Sequence, residues 1–345
     1  MDQPPLDNPT AFAADPQMII GKRGEHLVVA VKATYELVPT SPRLDLAPKS
    51  RRRGLRHADI PWGKPESTSI KYPADITLPK PGTDVVVVSK AFPPVGDPVK
   101  RFDVAVQVGP LRADLVVHGL RVWDNNGSWL SSALQAKPVE LRYENAWGGR
   151  DDSDPGACVE EPRNPVGLGI ARRAADLTGK MAPCIEYAEF PMSDAHTRPP
   201  PAGVGVVGRN WEPRRSYAGT YDKAWQENRA PLLPDDEDDR IRCFASRGLH
   251  AEQPLFGVEE VTLLNLLPNG QLAQFCLPGV GVEVNFLVKN REPDIQQPHL
   301  DTVLIDTLGV EDGQPLTVEL LWHASTKAPR RMLDSTTVIK GIRVA

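Results

Sequence analysis

The sequence has little of several features that would assign it to a class of protein. Its 345 residues include four cysteines, Cys158, Cys184, Cys243 and Cys276, without a C-x-x-C pair or a histidine at zinc-ligand spacing. The 40 basic and 45 acidic side chains give a net charge of −5, which does not favour nucleic acid as a partner. We therefore expect no disulfide framework and no structural zinc, and predict four free, mostly buried thiols.

Long apolar runs are also missing. Residues 1–12 have neither the basic nor the apolar region of a secretory signal. No later stretch approaches the roughly 20 apolar residues that span a bilayer. We therefore expect a cytoplasmic protein without a membrane span.

Proline, in contrast, is abundant. The chain has 35 prolines, about twice the usual share of roughly 5%. Because proline lacks an amide donor and interrupts both helices and central strands, this content predicts short elements joined by long, shaped loops.

Short β-branched runs bounded by glycine or proline predict strands. These runs are residues 25–38, 84–88, 101–108, 114–123, 138–143, 261–267, 271–277, 282–288, 302–306, 316–322 and 337–344. Two successive pairs, 101–108 with 114–123 and 261–267 with 271–277, have the spacing of antiparallel hairpins. Since long helices do not alternate with the strands, we predict a mainly β, α+β fold: antiparallel sheets, a long Pro/Gly-rich region of ordered loops and a few short helices.

The local amino-acid composition divides the chain into three parts. Residues 1–144 and 256–345 are β-rich, and residues 145–255 are dominated by glycine, proline and charge. These parts are either separate regions or one domain. Long ordered loops in a folded chain usually carry function, so the middle part is the candidate functional region.

Two short helices are expected in this middle part, at residues 169–177 and 220–229. For the second, Thr220 is the predicted N-cap and Asp222 lies in the first turn, where the helix dipole favours an anion. Tyr221 and Trp225 are four residues apart on one face and are expected to pack inward.

Motifs for catalysis or cofactor binding fail their context tests. The segment 203–208 spells G-x-G-x-x-G, but prolines before and after it prevent the strand and helix that a dinucleotide site requires. A G-x-S-x-G elbow is absent, and the seven histidines form no pattern with a serine or cysteine. We expect no catalytic residue, no cofactor and no bound metal.

The five consecutive acids at 235–239 have two interpretations. They could hold a divalent metal for a hydrolase. Alternatively, they could pair with flanking arginines, namely Arg214, Arg215, Arg229, Arg240 and Arg242, and brace an irregular loop. We favour the bracing role and keep the metal-dependent hydrolase as the alternative.

Several motifs, taken in order, resemble a known family. They are Asn8-Pro9, residues 31–34, 67–75, 80–85, 117–123, 143–149, 163–169 and 211–214, residues 218–222 with Trp225, and residues 233–238. In this order they resemble the type VI secretion-associated proteins catalogued as domain of unknown function 2169, over residues 7–280. One departure is Glu237, which stands between Asp236 and Asp238 where the family usually has an aromatic residue. Beyond residue 290 little resemblance remains.

The resemblance implies a non-enzymatic effector adaptor or chaperone. Such a protein holds a type VI effector in the cytosol and helps load it onto the secretion spike, so its partners are the effector and a spike or PAAR-type tip protein. A structural component of the secretion apparatus is a further alternative.

Partner binding needs aromatic and arginine anchors on a rigid scaffold. The candidate partner-binding residues are Trp211, Arg214, Tyr217 and Trp225. The residues of the motifs that are expected to shape turns and loops are Gly148, Gly149, Asn164, Pro165, Gly167, Thr220, Asp222, Asp236 and Asp238.

Overall fold

The structure, a computed structural model, describes residues 5–38, 41–154, 156–329 and 331–343. In chain order the first strands are β1 (Leu6–Asp7), β2 (Ala13–Gly21), β3 (Gly24–Leu37), β4 (Leu44–Leu46), β5 (Ile60–Pro61), β6 (Ile70–Tyr72), β7 (Thr83–Val88), β8 (Lys90–Ala91), β9 (Arg101–Val108), β10 (Leu111–His118), β11 (Trp123–Asp124), β12 (Trp129–Leu130) and β13 (Val139–Glu140). They continue as β14 (Trp147–Gly148), β15 (Arg150–Asp151), β16 (Val159–Glu160), β17 (Leu168–Gly169), β18 (Ile185–Tyr187), β19 (His250–Ala251), β20 (Glu260–Leu267), β21 (Gln271–Cys276), β22 (Val280–Val288), β23 (Asp294–Gln296), β24 (Leu300–Asp306), β25 (Thr317–Lys327) and β26 (Ser335–Arg343).

Helical structure is short. The described residues form one α-helix, α1, at Lys223–Asn228, and their 3-10 turns include Ala174–Leu177, Arg214–Tyr217 and Asp239–Arg242. The predicted fold class, mainly β with mostly antiparallel sheets, is confirmed.

The largest sheet has seven strands in the order β19-β7-β24-β25-β3-β2, with β4 also pairing with β3. Its neighbours are antiparallel except β7 and β24, which run parallel. Strands from the beginning and the end of the chain therefore share one sheet, with β24 and β25 inserted between β7 and β3.

Two further sheets complete the core. One has the order β18-β10-β9-β20-β21 and the other β1-β26-β22-β23. Both predicted hairpins are confirmed, as β9 with β10 and β20 with β21. One face of the large sheet, with fully buried Val31, Val303 and Leu320, packs into a core shared with residues of both other sheets, such as Val106 and Val284.

Some local predictions are wrong. The helix expected at 169–177 is reduced to one 3-10 turn, because β17 pairs with β14 and Gly169 has a φ of +108°. The second helix begins three residues later than expected, with Asp222 as its N-cap in place of Thr220. Tyr221 is 51% exposed and does not pack inward, while the Trp225 ring is half-buried.

The cysteines are free, as predicted, but the expected burial is wrong. Cys158 and Cys276 are exposed, and Cys184 and Cys243 are half-buried. Within the described part of the chain, no helix combines the length and the apolar character that crossing a bilayer requires.

Candidate functional site

The second face of the large sheet carries charged side chains that are nevertheless largely buried. Because side chains alternate along a strand, Lys32 in β3 and Glu319 in β25 point away from the apolar core. The segment between β4 and β7, which includes the short strands β5 and β6, covers these two side chains. We call the following set the charge layer: Lys32, Arg53, Arg56, Tyr72, Asp75, Lys80, Asp84, Asp301, Asp306, Glu319 and His323.

At one end of the charge layer, Lys80 joins β7 to β24. Its Nζ lies 2.6 Å from Asp84 Oδ2, 3.3 Å from Asp301 Oδ1 and 2.9 Å from Thr302 Oγ1. Burial alone disfavours the ammonium, but the charges of Asp84 and Asp301 outweigh it and raise the pKa of Lys80. The ammonium therefore stays charged in the interior.

In the middle of the layer, two carboxylates are shared by two cations. Lys32 Nζ lies 2.7 Å from Asp75 Oδ2 and 3.3 Å from Glu319 Oε2. The Arg56 guanidinium donates to the same two carboxylates, at 2.8 Å each. Each buried charge thus has more than one partner, which is what burial of ions requires.

At the other end, Arg53 joins β24 to β25. Its NH1 lies 2.8 Å from Asp306 Oδ2 and 3.0 Å from Glu319 Oε1. The Tyr72 hydroxyl also donates to Asp306 Oδ2, at 2.7 Å. Burial first, and the negative charge of Asp306 second, raise the pKa of Tyr72, so this hydroxyl stays a donor.

His323 lies between two acceptors. Its Nδ1 is 2.9 Å from Asp301 Oδ2, and its Nε2 is 2.7 Å from the Asp75 carbonyl oxygen. Both ring nitrogens face acceptors, so the doubly protonated imidazolium fits this position. Burial opposes the charge, but Asp301 outweighs it and raises the pKa of His323. Burial alone would raise the pKa of Asp301, but His323 and Lys80 lower it to about 2.

The Arg214 cleft lies beside the Asp84 end of the charge layer. It has a volume of about 420 Å³ and is lined by Pro81, Val207, Pro213, Arg214, Tyr217, Arg240, Cys243, Ala245, His250 and Glu252. Most of its wall belongs to the irregular middle of the chain, where the sequence places the functional region. Two of the four candidate partner-binding residues, Arg214 and Tyr217, come together here.

The cationic side chains of the cleft are positioned by hydrogen bonds, an ion pair and a ring contact within the chain. Arg214 is buried and donates to the carbonyl oxygens of Val207 and Ile241, at 2.6 to 3.0 Å. Burial lowers its pKa to about 10, so it keeps its charge at neutral pH. Arg240 lies over the Tyr217 ring, 4.4 Å from its centre, and pairs with Asp238 at 2.6 Å. The cleft therefore presents guanidinium and aromatic groups that are positioned by contacts within the chain.

The other two candidate partner-binding residues lie elsewhere. Trp211 is buried and packs edge-on against Tyr143, 5.2 Å between ring centres. Trp225 donates from Nε1 to the Leu232 carbonyl oxygen and contacts Tyr221. The structure thus gives both tryptophans packing partners within the chain.

The acids 235–239 are divided among different partners. Asp235 pairs with Arg229 at 2.7 Å, Asp238 with Arg240 at 2.6 Å, and Glu237 and Asp239 with Arg242 at 3.0 and 2.6 Å. Asp236 accepts hydrogen bonds from the amide and hydroxyl of Thr220. The side chains do not converge on one point, and Glu237, at 5% exposure, is buried.

The glycine-rich motif around Asn164 forms a compact turn. Asn164 is fully buried and donates from Nδ2 to the carbonyl oxygens of Tyr143 and Trp147, at 2.9 and 3.0 Å. A Cβ on Gly148 would lie 2.3 Å from the Asn164 carbonyl oxygen, so a side chain has no room there. Pro165 follows Asn164, and the Gly167 amide closes the turn by donating to the Asn164 carbonyl oxygen.

At the floor of the cleft, Asp84, Cys243 and His250 lie together. His250 Nδ1 is 2.8 Å from Asp84 Oδ1, and one ligand atom from each residue lies within 4.8 Å of the other two. Burial, and then the charge of Asp84, raise the pKa of the Cys243 thiol to about 12. A protonated thiol is a poor nucleophile, so this arrangement does not favour cysteine–histidine catalysis.

Sequence reasoning missed both the charge layer and this cluster. Lys32, Lys80 and Asp84 stand inside motifs of the family resemblance, and a lysine within an apolar strand was the available signal. The rejected G-x-G-x-x-G segment runs beside β7, where Val87 donates to the Val204 carbonyl oxygen, and it opens no helix.

Comparison with known proteins gives one family. The sequence model of a family described as an uncharacterized protein conserved in bacteria (DUF2169) matches residues 22–323. The match extends past residue 290, so the prediction that the resemblance ends near residue 280 is wrong. No curated protein and no solved structure matches the chain.

Proposed function

This chain belongs to the DUF2169 family of uncharacterized bacterial proteins, and from that premise we propose that it is a non-enzymatic adaptor. In this proposal it binds a type VI secretion effector in the cytosol and helps load it onto the secretion spike. The secretion role rests on the order of the sequence motifs. The binding role is supported above all by the Arg214 cleft.

The lining of the cleft indicates what the partner offers. Val207 and Pro213 supply apolar wall, and Tyr217 supplies an aromatic ring. Arg214 donates to the carbonyl oxygens of Val207 and Ile241 and forms no ion pair with a carboxylate of the described residues. An acidic side chain flanked by apolar ones complements such a lining, since arginine and tyrosine are frequent anchors of protein interfaces.

Other observations favour binding over hydrolysis. The acids 235–239, on which a metal-dependent hydrolase would depend, are divided among four partners, namely Arg229, Thr220, Arg240 and Arg242, the last of which pairs with both Glu237 and Asp239. The Cys243 thiol, which lies near a histidine, is held protonated. Neither group is arranged for the chemistry that an enzyme would need from it.

Co-expression with the effector encoded next to this gene tests the proposal. We expect a complex that survives affinity purification and gel filtration. Failure to co-purify with any neighbouring effector would contradict it. Recovery with spike or tail proteins in the absence of effector would instead identify a structural component of the apparatus.

Two cleft variants locate the binding surface. We expect Tyr217→Ala and Arg240→Glu to raise the Kd for the effector at least about tenfold, because both remove the pair of the half-buried Tyr217 ring and the exposed Arg240 guanidinium that lines the cleft. Isothermal titration calorimetry measures the change.

Arg173→Glu is the matched control, since it breaks an equally exposed pair, with Asp176 at 2.7 Å, outside the cleft. An equal loss of affinity in the control, or none in the cleft variants, would place the interface elsewhere.

A further inference from the structure

Three potential metal ligands meet at the floor of the Arg214 cleft. Asp84 lies in β7, and His250 lies opposite it in the antiparallel partner strand β19. Cys243 directly follows the 3-10 turn Asp239–Arg242. Their ligand atoms all lie within 4.8 Å of one another.

The donor atoms of these ligands indicate which metal ion the site prefers. A thiolate, an imidazole nitrogen and a carboxylate oxygen together are the donor set of zinc, whereas magnesium and calcium take oxygen ligands. From this geometry we propose that Asp84, Cys243 and His250 form a zinc site.

The separations in the cluster suit such an ion. Two ligands bonded at about 2.0 to 2.1 Å to a tetrahedral zinc lie roughly 3.3 Å apart. Asp84 Oδ1 and His250 Nδ1 are 2.8 Å apart, and the proton between them forms a hydrogen bond. Zinc replaces that proton after a small widening, and Cys243 ionises as it binds because the metal stabilises the thiolate.

The surroundings of Asp84 hold its carboxylate in place for this role. Its other oxygen, Oδ2, accepts hydrogen bonds from Lys80 Nζ at 2.6 Å and from the Phe244 amide at 2.8 Å. Such outer contacts orient a ligating carboxylate and leave Oδ1 directed at the ion. They also anchor the segment that carries Cys243, since Phe244 is the next residue.

Two consequences follow from the location. Three protein ligands leave a fourth coordination position for a water molecule, and two of the three ligands, Cys243 and His250, line the cleft. The ion also joins the irregular middle of the chain, through Cys243, to the large sheet, through Asp84 and His250. Zinc binding therefore stabilises the cleft wall against the sheet.

Metal titration of the chelator-treated protein tests the site. We expect one Zn²⁺ per chain, with a rise in Tm that Mg²⁺ does not reproduce. Co²⁺ in place of zinc reports on the ligands, because a thiolate bound to Co²⁺ gives an intense charge-transfer absorption band.

Ligand variants make the test specific. Cys243→Ser should abolish the cobalt–thiolate band, and His250→Gln should weaken Zn²⁺ binding at least about tenfold. Cys276→Ser is the matched control: it removes an exposed thiol on β21 and should change neither result.

The proposal is overturned by wild-type protein that binds no stoichiometric Zn²⁺. It is equally overturned by a thiolate band that persists in Cys243→Ser. The wild-type titration decides the question even if a variant fails to fold, and effector binding is a separate measurement on which this inference does not depend.

Discussion

At the scale of single residues, the surroundings of His323 determine the charge of its imidazole ring. The imidazole is buried, and both of its nitrogens face oxygen acceptors, on Asp301 and Asp75. A neutral ring would leave one acceptor facing a lone pair, at a cost comparable to an unmade buried hydrogen bond. With His323 protonated, the charge layer contains five positive and five negative groups.

This arrangement predicts a pH dependence of stability. The pKa of His323 is raised above its usual value near 6.5, so its contribution is fully present below about pH 6.5 and is lost as pH rises through the folded-state pKa. His323→Gln should therefore be less stable than the wild type at about pH 5 to 6, and the difference should shrink at alkaline pH. Urea unfolding from about pH 5 to alkaline pH measures both curves, and a difference independent of pH would show that folding leaves the pKa of His323 unshifted.

At the scale of elements, one face of the large sheet carries charged side chains that are buried. Cations on β3 and on the segment between β4 and β7 neutralise carboxylates on β7, β24 and β25. Such pairs add little compared with apolar packing, but removing one partner leaves an uncompensated charge in the interior. Loss of one partner should therefore cost more stability in a buried pair of the charge layer than in an exposed ion pair.

Lys32→Met tests this contrast. We expect a loss of about 3 to 5 kcal/mol in the free energy of unfolding, because Asp75 and Glu319 lose a shared buried cation. Lys340→Met, which breaks an exposed pair with Glu283 on another strand, should cost less than about 1 kcal/mol. Chemical denaturation of both variants provides the comparison, and equal losses would mean that burial of the Lys32 pair carries no penalty.

The elements also show what the sequence can predict. Long β-branched runs such as 101–108 form strands because their alternation buries one face, and β9 has these bounds. Strand β2 was missed, since Asp15 and Pro16 interrupt its pattern at a sheet edge, where proline is tolerated. Segment 169–177 has helix-forming composition but is too short to be stable without tertiary support, and strand pairing at Gly169 competes with it.

The candidate site was less predictable than the strands. Arg214 and Tyr217 were accessible to sequence reasoning because aromatic and arginine residues cluster there. The cluster of Asp84, Cys243 and His250 was not, since Asp84 is 166 residues from His250 and is brought to the other two by the pairing of β7 with β19 and by the hydrogen bond from the Phe244 amide. Single-sequence patterns do not contain such long-range contacts.

At the scale of the whole molecule, the first and last parts of the chain are interleaved. Strands β24 and β25, from residues 300–327, lie between β7 and β3 in the large sheet. They also supply apolar residues of the main core, including Ile305, Val318 and Trp322. The β-rich part at 1–144 therefore lacks the centre of its own sheet when it is separated from residues 256–345.

Truncation tests this dependence. We expect a fragment of residues 1–255 to show no cooperative thermal transition and rapid proteolysis, whereas residues 5–343 should unfold in a single transition like the full chain. Calorimetry and limited trypsin digestion measure these properties. Cooperative unfolding of the 1–255 fragment would show that the N-terminal part folds independently.

The order of the charged residues along the chain has a consequence for biosynthesis. Lys32, Arg53, Arg56 and Lys80 are made early, but Asp301, Asp306, Glu319 and His323 come from the final part of the sequence. While the polypeptide is still on the ribosome, the early cations lack most of their eventual counterions, and the early strands lack their central neighbours. Completion of this fold is therefore expected only after residues 300–327 have left the ribosome, and a holding chaperone could act before that point.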